Sequence, residues 1–229
     1  MKKIVVVLYG APGSGKGTQA NLLAGKLGLF HFDSGKFLEE IVHDPKRQGE
    51  KIIRRERKLF DSGVLNTPSF VFREVAKEVR RIERADWGIV FSGSLRTRYE
   101  AERLTPILER LYGKKNIFIF ELTVPQDRSI RRNSARLICT VCGYILLTAF
   151  YPVKHPKHCP VCAGKFYRRS LDKPAVIKER LREYEERTMP MIAFMRGRGY
   201  PVSPIDARPA PYKVLNAILK RLSVLEKRK

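Results

Sequence analysis

Residues 10–18, GAPGSGKGT, combine closely spaced glycines with one lysine and directly follow the aliphatic run at residues 4–9. Glycines allow a backbone to turn several amides toward one point, and a helix that begins there directs its positive dipole end to the same place. A buried strand, a G-x-x-x-x-G-K loop and a helix are typical of the phosphate-binding loop. We therefore expect a nucleoside triphosphate to bind here. The residues predicted to hold its phosphates are Gly13, Ser14, Gly15, Lys16, Gly17 and Thr18.

Four cysteines form two C-x2-C pairs, Cys139 with Cys142 and Cys159 with Cys162, and sixteen residues separate the pairs. Each pair can form a metal-binding knuckle, and four thiolates complete a closed tetrahedral shell. The spacing predicts a structural zinc site, with iron as an alternative metal and two disulfides as an alternative chemistry. Because so short a segment has little core of its own, the metal would stabilise its fold.

The elements that must position these groups follow an alternating pattern. Short apolar runs at residues 4–9, 29–32, 88–92, 117–124 and 200–205 are typical of strands buried on both faces of a parallel sheet, and amphipathic segments lie between them. The alternation predicts an α/β fold with a doubly wound, five-stranded parallel sheet.

Two details refine the helical segments near the end of the chain. Pro190 should bend or interrupt the helix predicted over residues 174–196, and Asp172 is placed to cap its start. The last predicted helix carries apolar residues at helical spacing. These are Val214, Ile218, Leu222 and Leu225.

Two segments depart from the alternation. Residues 34–66 contain two predicted helices directly after the second strand, whereas residues 137–171 contain both cysteine pairs and no helical periodicity. We interpret both as insertions into one core domain. The core is expected to comprise residues 1–33, 67–136 and 172–229.

Composition gives weaker information about function. The chain has 229 residues, with 46 basic and 23 acidic side chains and a net charge of +23. This excess indicates an anionic partner such as polyphosphate or nucleic acid, or else a generally basic surface. No apolar run approaches the ~20 residues of a membrane span, and the apolar part of the first ten residues is too short for a signal peptide. We expect a cytoplasmic monomer that does not contact a membrane.

One feature of the glycine loop points to a particular family. Gly17 separates Lys16 from Thr18, whereas serine or threonine normally follows the lysine directly. The resulting GKGT form resembles the adenylate kinase family, and the resemblance extends over about residues 4–222. It also rests on DSGKFLEE, DSGVL, SGSLRT, RRNSARLIC, YRRSLDKP and LREYEERTMPMI, which occur in the order and spacing of the bacterial type with a zinc-bearing lid.

The resemblance implies a P-loop NTPase-like fold in which residues 34–66 bind a nucleoside monophosphate and residues 137–171 form the lid. It also implies reversible transfer of the γ-phosphoryl group of ATP to AMP, with Mg²⁺. Such a reaction needs positioning, charge neutralisation and exclusion of water, for which lid closure and arginine side chains are suited.

The resemblance assigns roles to individual arginines. Arg96 would hold the acceptor phosphate, Arg132 would stack on the ATP adenine, and Arg136 would contact the ATP phosphates. Arg169 and Arg180 would close over the reacting groups from the lid side. The implied catalytic residues are Lys16, Arg96, Arg136, Arg169 and Arg180, and the implied monophosphate site is Ser34, Gly35, Lys36, Leu65, Gly93, Arg96, Glu100, Arg169 and Arg180.

The acceptor side departs from the family pattern. Lys36 and Ser92 replace two aspartates that would organise water around Mg²⁺, and Glu39 replaces an arginine that would bind the AMP phosphate. Two unit charges 4 Å apart interact by about 4 kcal/mol at an effective dielectric constant of about 20. We therefore expect Glu39 to point away from the phosphates and Lys36 to bring its ammonium group to them.

Glu100 replaces the glutamine that would recognise adenine in the family. An ionised carboxylate only accepts hydrogen bonds, so it would suit guanine or cytosine; alternatively, Glu100 pairs with Arg98 or Arg103 on its own helix and contacts no base. AMP is the expected acceptor by family, and another base is the alternative. A third hypothesis is a nucleotide-dependent RNA-binding protein with weak kinase activity, which the loss of both aspartates favours.

Overall fold

The centre of the molecule is a five-stranded parallel sheet, in which Leu29–Phe32, Gly88–Phe91, Val5–Tyr9, Ile117–Thr123 and Val202–Asp206 lie side by side in that order. A computed structural model describes residues 3–146, 148, 151 and 156–227. The strands of this sheet are β1 Val5–Tyr9, β2 Leu29–Phe32, β3 Gly88–Phe91, β4 Ile117–Thr123 and β8 Val202–Asp206. The predicted doubly wound sheet is therefore confirmed.

Helices cover both faces of the sheet. They are α1 Lys16–Leu27, α2 Ser34–Val42, α3 Lys51–Ser62, α4 Pro68–Arg84, α5 Arg98–Tyr112, α6 Gln126–Ser134, α7 Pro174–Glu183, α8 Pro190–Gly197 and α9 Pro211–Glu226. Within the described residues, no helix is both long and apolar enough to cross a membrane.

Alternate residues of β1 supply two separate apolar layers. Val5 and Val7 pack with the layer that contains α4, α5 and α8, whereas Val6 and Leu8 pack with the layer that contains α1 and α9. A strand buried on both faces has no polar positions, which explains its continuous aliphatic sequence. The predicted apolar stripe of α9 is confirmed, because all four of its residues are buried.

The predicted interruption at Pro190 is also confirmed. Helix α7 ends at Glu183, residues Tyr184–Thr188 form one wider π-helical turn, and α8 begins at Pro190. The Met189 amide donates to the carbonyl oxygen of Tyr184 at 2.7 Å, five residues earlier. The wider turn accommodates a proline that has no amide hydrogen to donate.

Residues 34–66 contain α2 and α3, as predicted. Glu56 fastens this segment to the start of α4: its fully buried carboxylate accepts hydrogen bonds from the Thr67 hydroxyl at 2.6 Å, the Thr67 amide at 2.8 Å and Asn66 Nδ2 at 3.1 Å. Arg55 donates to the same carboxylate at 2.8 Å. Burial raises the pKa of Glu56, but these donors outweigh it and hold the pKa below its ordinary 4.5.

The segment predicted as a lid contains a small antiparallel sheet with the order β6-β5-β7. Its strands are β5 Leu137–Cys139, β6 Ile145–Leu146 and β7 Phe166–Tyr167. Residues 147, 149, 150 and 152–155 of the predicted lid, and 1, 2, 228 and 229 of the predicted core, lie outside the described residues.

Candidate functional site

A cavity of about 750 Å³ opens where β1 ends, at the carboxyl edge of the sheet. Ligands of open α/β sheets bind at this edge, beside the central strand where the connections reverse direction. The cavity is lined by the glycine loop, by the starts of α2 and α5, and by side chains from α6, α7 and the small sheet. Every residue of the predicted nucleotide sites lines it except Lys36.

The glycine loop has the conformation that its sequence requires. Gly13 and Gly15 have φ angles of +86° and +94°, which side chains disfavour, and a Cβ at Gly13 would lie 2.7 Å from Asn133 Nδ2. Gly17 does not need the conformational freedom of glycine. It lies within α1, has no positive φ angle, and a Cβ there would meet no atom within 4 Å.

Lys16 folds back over this loop. Its ammonium group donates to the carbonyl oxygens of Gly10 at 2.6 Å and Ala11 at 2.9 Å. Burial, together with the positive charges of Arg96 and Arg180, lowers the pKa of Lys16 to about 7. An anion bound in the loop would favour the charged form of Lys16 and would therefore raise its pKa again.

Arg136 and Arg180 converge on one carboxylate, that of Asp172. Arg136 makes two hydrogen bonds to it, one from Nε at 2.9 Å and one from a terminal nitrogen, and Arg180 lies 3.8 Å away. The predicted capping role of Asp172 is wrong, because Lys173 precedes α7 and no side chain caps it. The carboxylate instead neutralises two crowded guanidinium groups. Burial and neighbouring arginines lower the pKa of Arg180 to about 10, so it stays charged at neutral pH.

Arg169, which lines the cavity, pairs with Glu39, which does not. One guanidinium nitrogen of Arg169, just beyond β7, donates to the Glu39 carboxylate on α2. Glu39 is not among the residues that line the cavity, so the expectation that it points away from the phosphates stays a prediction, although its carboxylate does bind an arginine that lines the cavity. A carboxylate that cannot bind a dianion can still bind an arginine, and here it does so.

Arg96 is held differently from the other arginines. Among the described residues no carboxylate lies at ion-pair distance from it, although Glu100 and Asp33 attract it and burial lowers its pKa. Gly93 makes room for the guanidinium, because a Cβ there would collide with it. The preceding residue, Leu95, has a φ of +59°, and its carbonyl accepts a hydrogen bond from the buried Tyr9 hydroxyl at 3.1 Å.

Arg132 lies at the opposite end of the cavity. Its guanidinium donates to the carbonyl oxygens of Ala207 at 2.9 Å and Arg208 at 3.1 Å, in the loop between β8 and α9. These bonds fix the plane of the guanidinium beside a wall that includes Pro209 and Val214. A planar cation beside apolar side chains can hold an aromatic base.

The structure does not bring Lys36 to the cavity. Its ammonium group lies 3.8 Å from Glu40 on the outer face of α2, and 72% of its side chain is exposed. Only its amide takes part, because it and the Gly35 amide donate to Asp33, which caps the helix. A contact between Lys36 and a phosphate thus stays a prediction that requires the side chain to turn.

Thr97 and Glu100 form a variant of the capping box at the start of α5, in which the Glu100 amide donates to the Thr97 hydroxyl oxygen at 3.3 Å. The Thr97 hydroxyl donates to Glu100 Oε1 at 2.8 Å, and the Arg96 amide donates to Oε2 at 3.1 Å. The suggested pairing with Arg98 or Arg103 is wrong, since Arg98 pairs with Glu102 and Arg103 stacks 3.6 Å from the ring centre of Tyr99. Burial raises the pKa of Glu100.

Sequence reasoning missed a polar chain beneath Ser92. His31 Nε2 lies 2.8 Å from Ser92 Oγ, and His31 Nδ1 lies 2.5 Å from Asn21 Oδ1. Burial lowers the pKa of His31, which favours the neutral ring. An amide oxygen only accepts, so Nδ1 carries the hydrogen and the Ser92 hydroxyl donates to Nε2. The lone pairs of Ser92 Oγ are then free to face the cavity.

The four cysteines meet at the tip of the small sheet, with all four sulfur atoms within 4.8 Å of one another. The Sγ–Sγ distances are 3.4 Å for Cys139 and Cys162 and 3.7 Å for Cys142 and Cys159. A tetrahedral zinc with ~2.3 Å bonds needs sulfurs about 3.8 Å apart, so the cluster fits a four-thiolate metal site. No cysteine is in a disulfide.

Backbone amides support this cluster. The Val141 and Val161 amides donate to Cys139 and Cys159, each at 3.4 Å, in the same way in both knuckles. Donation from the Cys142 and Val141 amides lowers the pKa of Cys139. Gly164 allows the knuckles to approach, since a Cβ there would lie 2.9 Å from Cys139 Sγ.

A parallel sheet with a phosphate-binding loop at its carboxyl edge, under converging arginines, defines a P-loop nucleotide-binding protein with the cations suited to phosphoryl transfer. Residues 8–200 match the family model described as adenylate kinase. The chain is 35% identical over 196 residues to the adenylate kinase of Methanothrix thermoacetophila, covering 85% of this chain and 87% of that protein.

Two further relatives agree. The adenylate kinase of Caldicellulosiruptor saccharolyticus is 32% identical over 200 residues, which are 87% of this chain and 90% of that protein. The adenylate kinase of Archaeoglobus fulgidus is 30% identical over 219 residues, which are 95% and 98% of the two chains. The chain belongs to the adenylate kinase family.

Proposed function

We propose that this chain transfers the γ-phosphoryl group of ATP to AMP, reversibly and with Mg²⁺, to form two molecules of ADP. The observation that carries the proposal is the convergence on one cavity beside the glycine loop of five cations, which are Lys16, Arg96, Arg136, Arg169 and Arg180. A phosphate oxygen of AMP would attack the γ-phosphorus while the bond to the ADP oxygen breaks. The protein's part is to align the two nucleotides and to neutralise the charge of the migrating group.

The positions of the side chains support a division of the cavity. Arg132 and the β8–α9 loop would hold the ATP adenine, and the amides of residues 13–18 with Lys16 and Arg136 would hold its phosphates. Arg96, between α2 and α5, would bind the acceptor phosphate, and Arg169 and Arg180 would bridge the two nucleotides. Mg²⁺ would supply positive charge at the ATP phosphates, where Thr18 and Asp33 line the cavity with the oxygen donors that it prefers.

The cysteine cluster supports a structural zinc ion, because four thiolates leave no open position for catalysis. We propose that residues 137–171 act as a zinc-stabilised lid and that residues 34–66 act as the monophosphate-binding insertion on a core of residues 1–33, 67–136 and 172–229. Closing the lid would exclude water from the migrating phosphoryl group.

Initial rates with ATP, Mg²⁺ and each of AMP, GMP, CMP and UMP test the proposal. We expect AMP to be the preferred acceptor, because both oxygens of Glu100 are engaged at the start of α5. Glu100→Gln, which restores the family's residue, should leave the order of acceptors unchanged. Preference for GMP or CMP that Glu100→Gln reverses would show that Glu100 recognises the base. Loss of transfer in Lys16→Ala is the control for the site.

A further inference from the structure

Glu39 is the feature of the site that the proposed function does not use. The family pattern has an arginine at this position, yet here a carboxylate on α2 binds Arg169, which is 130 residues further along the chain. The pair is half-buried, since the side chains of Arg169 and Glu39 are 17% and 34% exposed. An ion pair in such surroundings is stronger than one on an open surface.

The helix that carries Glu39 is itself fastened in place. His43 at the end of α2 contacts the Glu39 carbonyl oxygen through Nδ1 and Asp61 of α3 through Nε2, each at 2.9 Å. The next residue, Glu40, faces solvent beside Lys36 and is 65% exposed. The structure thus directs one of two adjacent glutamates at the lid and the other away from it.

Two carboxylates that do not themselves line the cavity pair with arginines that do. Asp172 neutralises Arg136 and Arg180, Glu39 neutralises Arg169, and Arg96 has no acidic partner at ion-pair distance among the described residues. Asp172 is joined to arginines on its own side of the cavity. Glu39 joins the α2 insertion to the segment after β7, so its bond must break if Arg169 is to turn to a phosphate.

We propose that Glu39 occupies Arg169 in place of the acceptor phosphate, and that it thereby sets the affinity for the monophosphate and holds the two insertions together before substrate binds. This inference rests on the proposed function, in which Arg169 contacts the acceptor as one of the two nucleotides that it bridges. The monophosphate must displace a carboxylate, whereas ATP bound at the glycine loop need not. Glu39 is therefore a determinant of acceptor affinity and not a catalytic residue.

Removing the charge of Glu39 should change the affinity for the monophosphate without changing the affinity for ATP. Glu39→Gln should lower the KM for AMP about tenfold, because AMP no longer competes with a carboxylate for Arg169. This change lies between the small effect of losing an exposed ion pair and the large effect of losing a buried one. The KM for ATP should change less than twofold. Glu39→Arg, which restores the family's residue, should lower the KM for AMP further, because it adds a cation and repels Arg169. Glu40→Gln, the same charge change one residue away, should alter neither constant, because the 3.8 Å contact of Glu40 with Lys36 is an exposed one that restrains Lys36 little.

Hydrogen exchange of the ligand-free proteins gives a second readout that needs no activity. Amides of residues 166–172 should exchange faster in Glu39→Gln than in the unmodified protein or in Glu40→Gln, because the lid is no longer tied to α2. Unchanged exchange there, or an equal change in both KM values, overturns the inference.

If the unmodified protein phosphorylates no monophosphate, the proposed function fails. Calorimetric measurement of AMP binding to Glu39→Gln and Glu40→Gln then replaces the KM comparison. Equal affinities of the two variants for AMP would overturn the inference.

Discussion

The Arg136 guanidinium and the Asp172 carboxylate are joined by two parallel hydrogen bonds, and the Asp172 side chain is only 3% exposed. This geometry fixes the direction of the guanidinium as well as its charge. Because Arg180 lies 3.8 Å from the same carboxylate, one acid orients two cations that would otherwise repel each other. Asp172 is thus a positioning residue for Arg136 and Arg180, which we propose to contact the phosphates.

Replacing Asp172 with asparagine should impair both stability and turnover. Loss of one partner of a buried pair leaves two shielded guanidinium groups without their counter-charge, which costs about 3 kcal/mol of unfolding free energy. The kcat should fall at least tenfold. Urea denaturation and steady-state kinetics measure the two effects. Asp127→Asn is the matched control, because it breaks an exposed pair with Arg131 and should change neither. If both variants behave alike, Asp172 does not position the arginines.

Ser92→Asp should make the chain easier to saturate with Mg²⁺. The substitution puts a carboxylate at the cavity wall, where the family has one and where Mg²⁺-bound water would accept a negative partner. His31 would keep its contact by protonating, since a carboxylate raises the pKa of a nearby imidazole. The Mg²⁺ concentration for half-maximal rate at fixed ATP should fall several-fold. Ser92→Ala adds no charge, and a similar fall in that control would contradict the explanation.

Glu56→Gln should destabilise the protein in a pH-dependent manner. The pKa of Glu56 in the folded protein lies below its ordinary 4.5, so its ionised form adds stability above that pH. This stability is lost as pH falls through the folded-state pKa. Hydrogen bonds to a buried charge contribute roughly 1.5–3 kcal/mol. The difference in unfolding free energy between the two proteins should therefore be about 2 kcal/mol at pH 7 and shrink below pH 4.

Chemical denaturation across this pH range measures the difference. Glu50→Gln serves as the control, because Glu50 is an exposed glutamate whose side chain is 45% exposed and whose partner is Arg47. It removes the same charge with little effect on stability. A constant difference between Glu56→Gln and the unmodified protein at all pH values would show that packing, not charge, accounts for the role of Glu56.

Local sequence determined how much of the fold could be predicted. The glycine loop, the aliphatic strands and the apolar stripe of α9 each follow from residues close together in the chain, and the structure agrees with them. The metal site could also be predicted from local sequence, since four cysteines at that spacing are typical of a tetrahedral thiolate site. Thr97 and Glu100 also form a T-x-x-E sequence, which is typical of a helix N-terminus. Comparing Glu100 only with the family's adenine-recognising glutamine overlooks this capping role.

Long-range pairing could not be predicted in the same way. Glu39 and Arg169 are brought together by the placement of two insertions, and a charge comparison at one position could show only that Glu39 does not bind phosphate. Asp172 likewise stood where a helix cap is expected, but an acid near two arginines is stabilised more by them than by a helix end. The net charge of +23 indicates an anionic partner without identifying it as nucleic acid. Retention of RNA that falls steeply as the salt concentration rises would test nucleic-acid binding.

Metal removal tests the cysteine cluster most directly. We expect one zinc per chain by elemental analysis, because the spacing of the sulfurs fits a tetrahedral thiolate site and closes it. A chelator under reducing conditions should make residues 137–171 sensitive to protease while the core sheet stays folded, since the metal supplies much of the folding free energy of so small a sheet. Cys159→Ser should have the same effect without chelator. Ser170→Ala, outside the cluster but in the same segment, is the control. Protein that contains no metal and whose intact mass rises by two disulfides' worth of hydrogen on reduction would contradict the assignment.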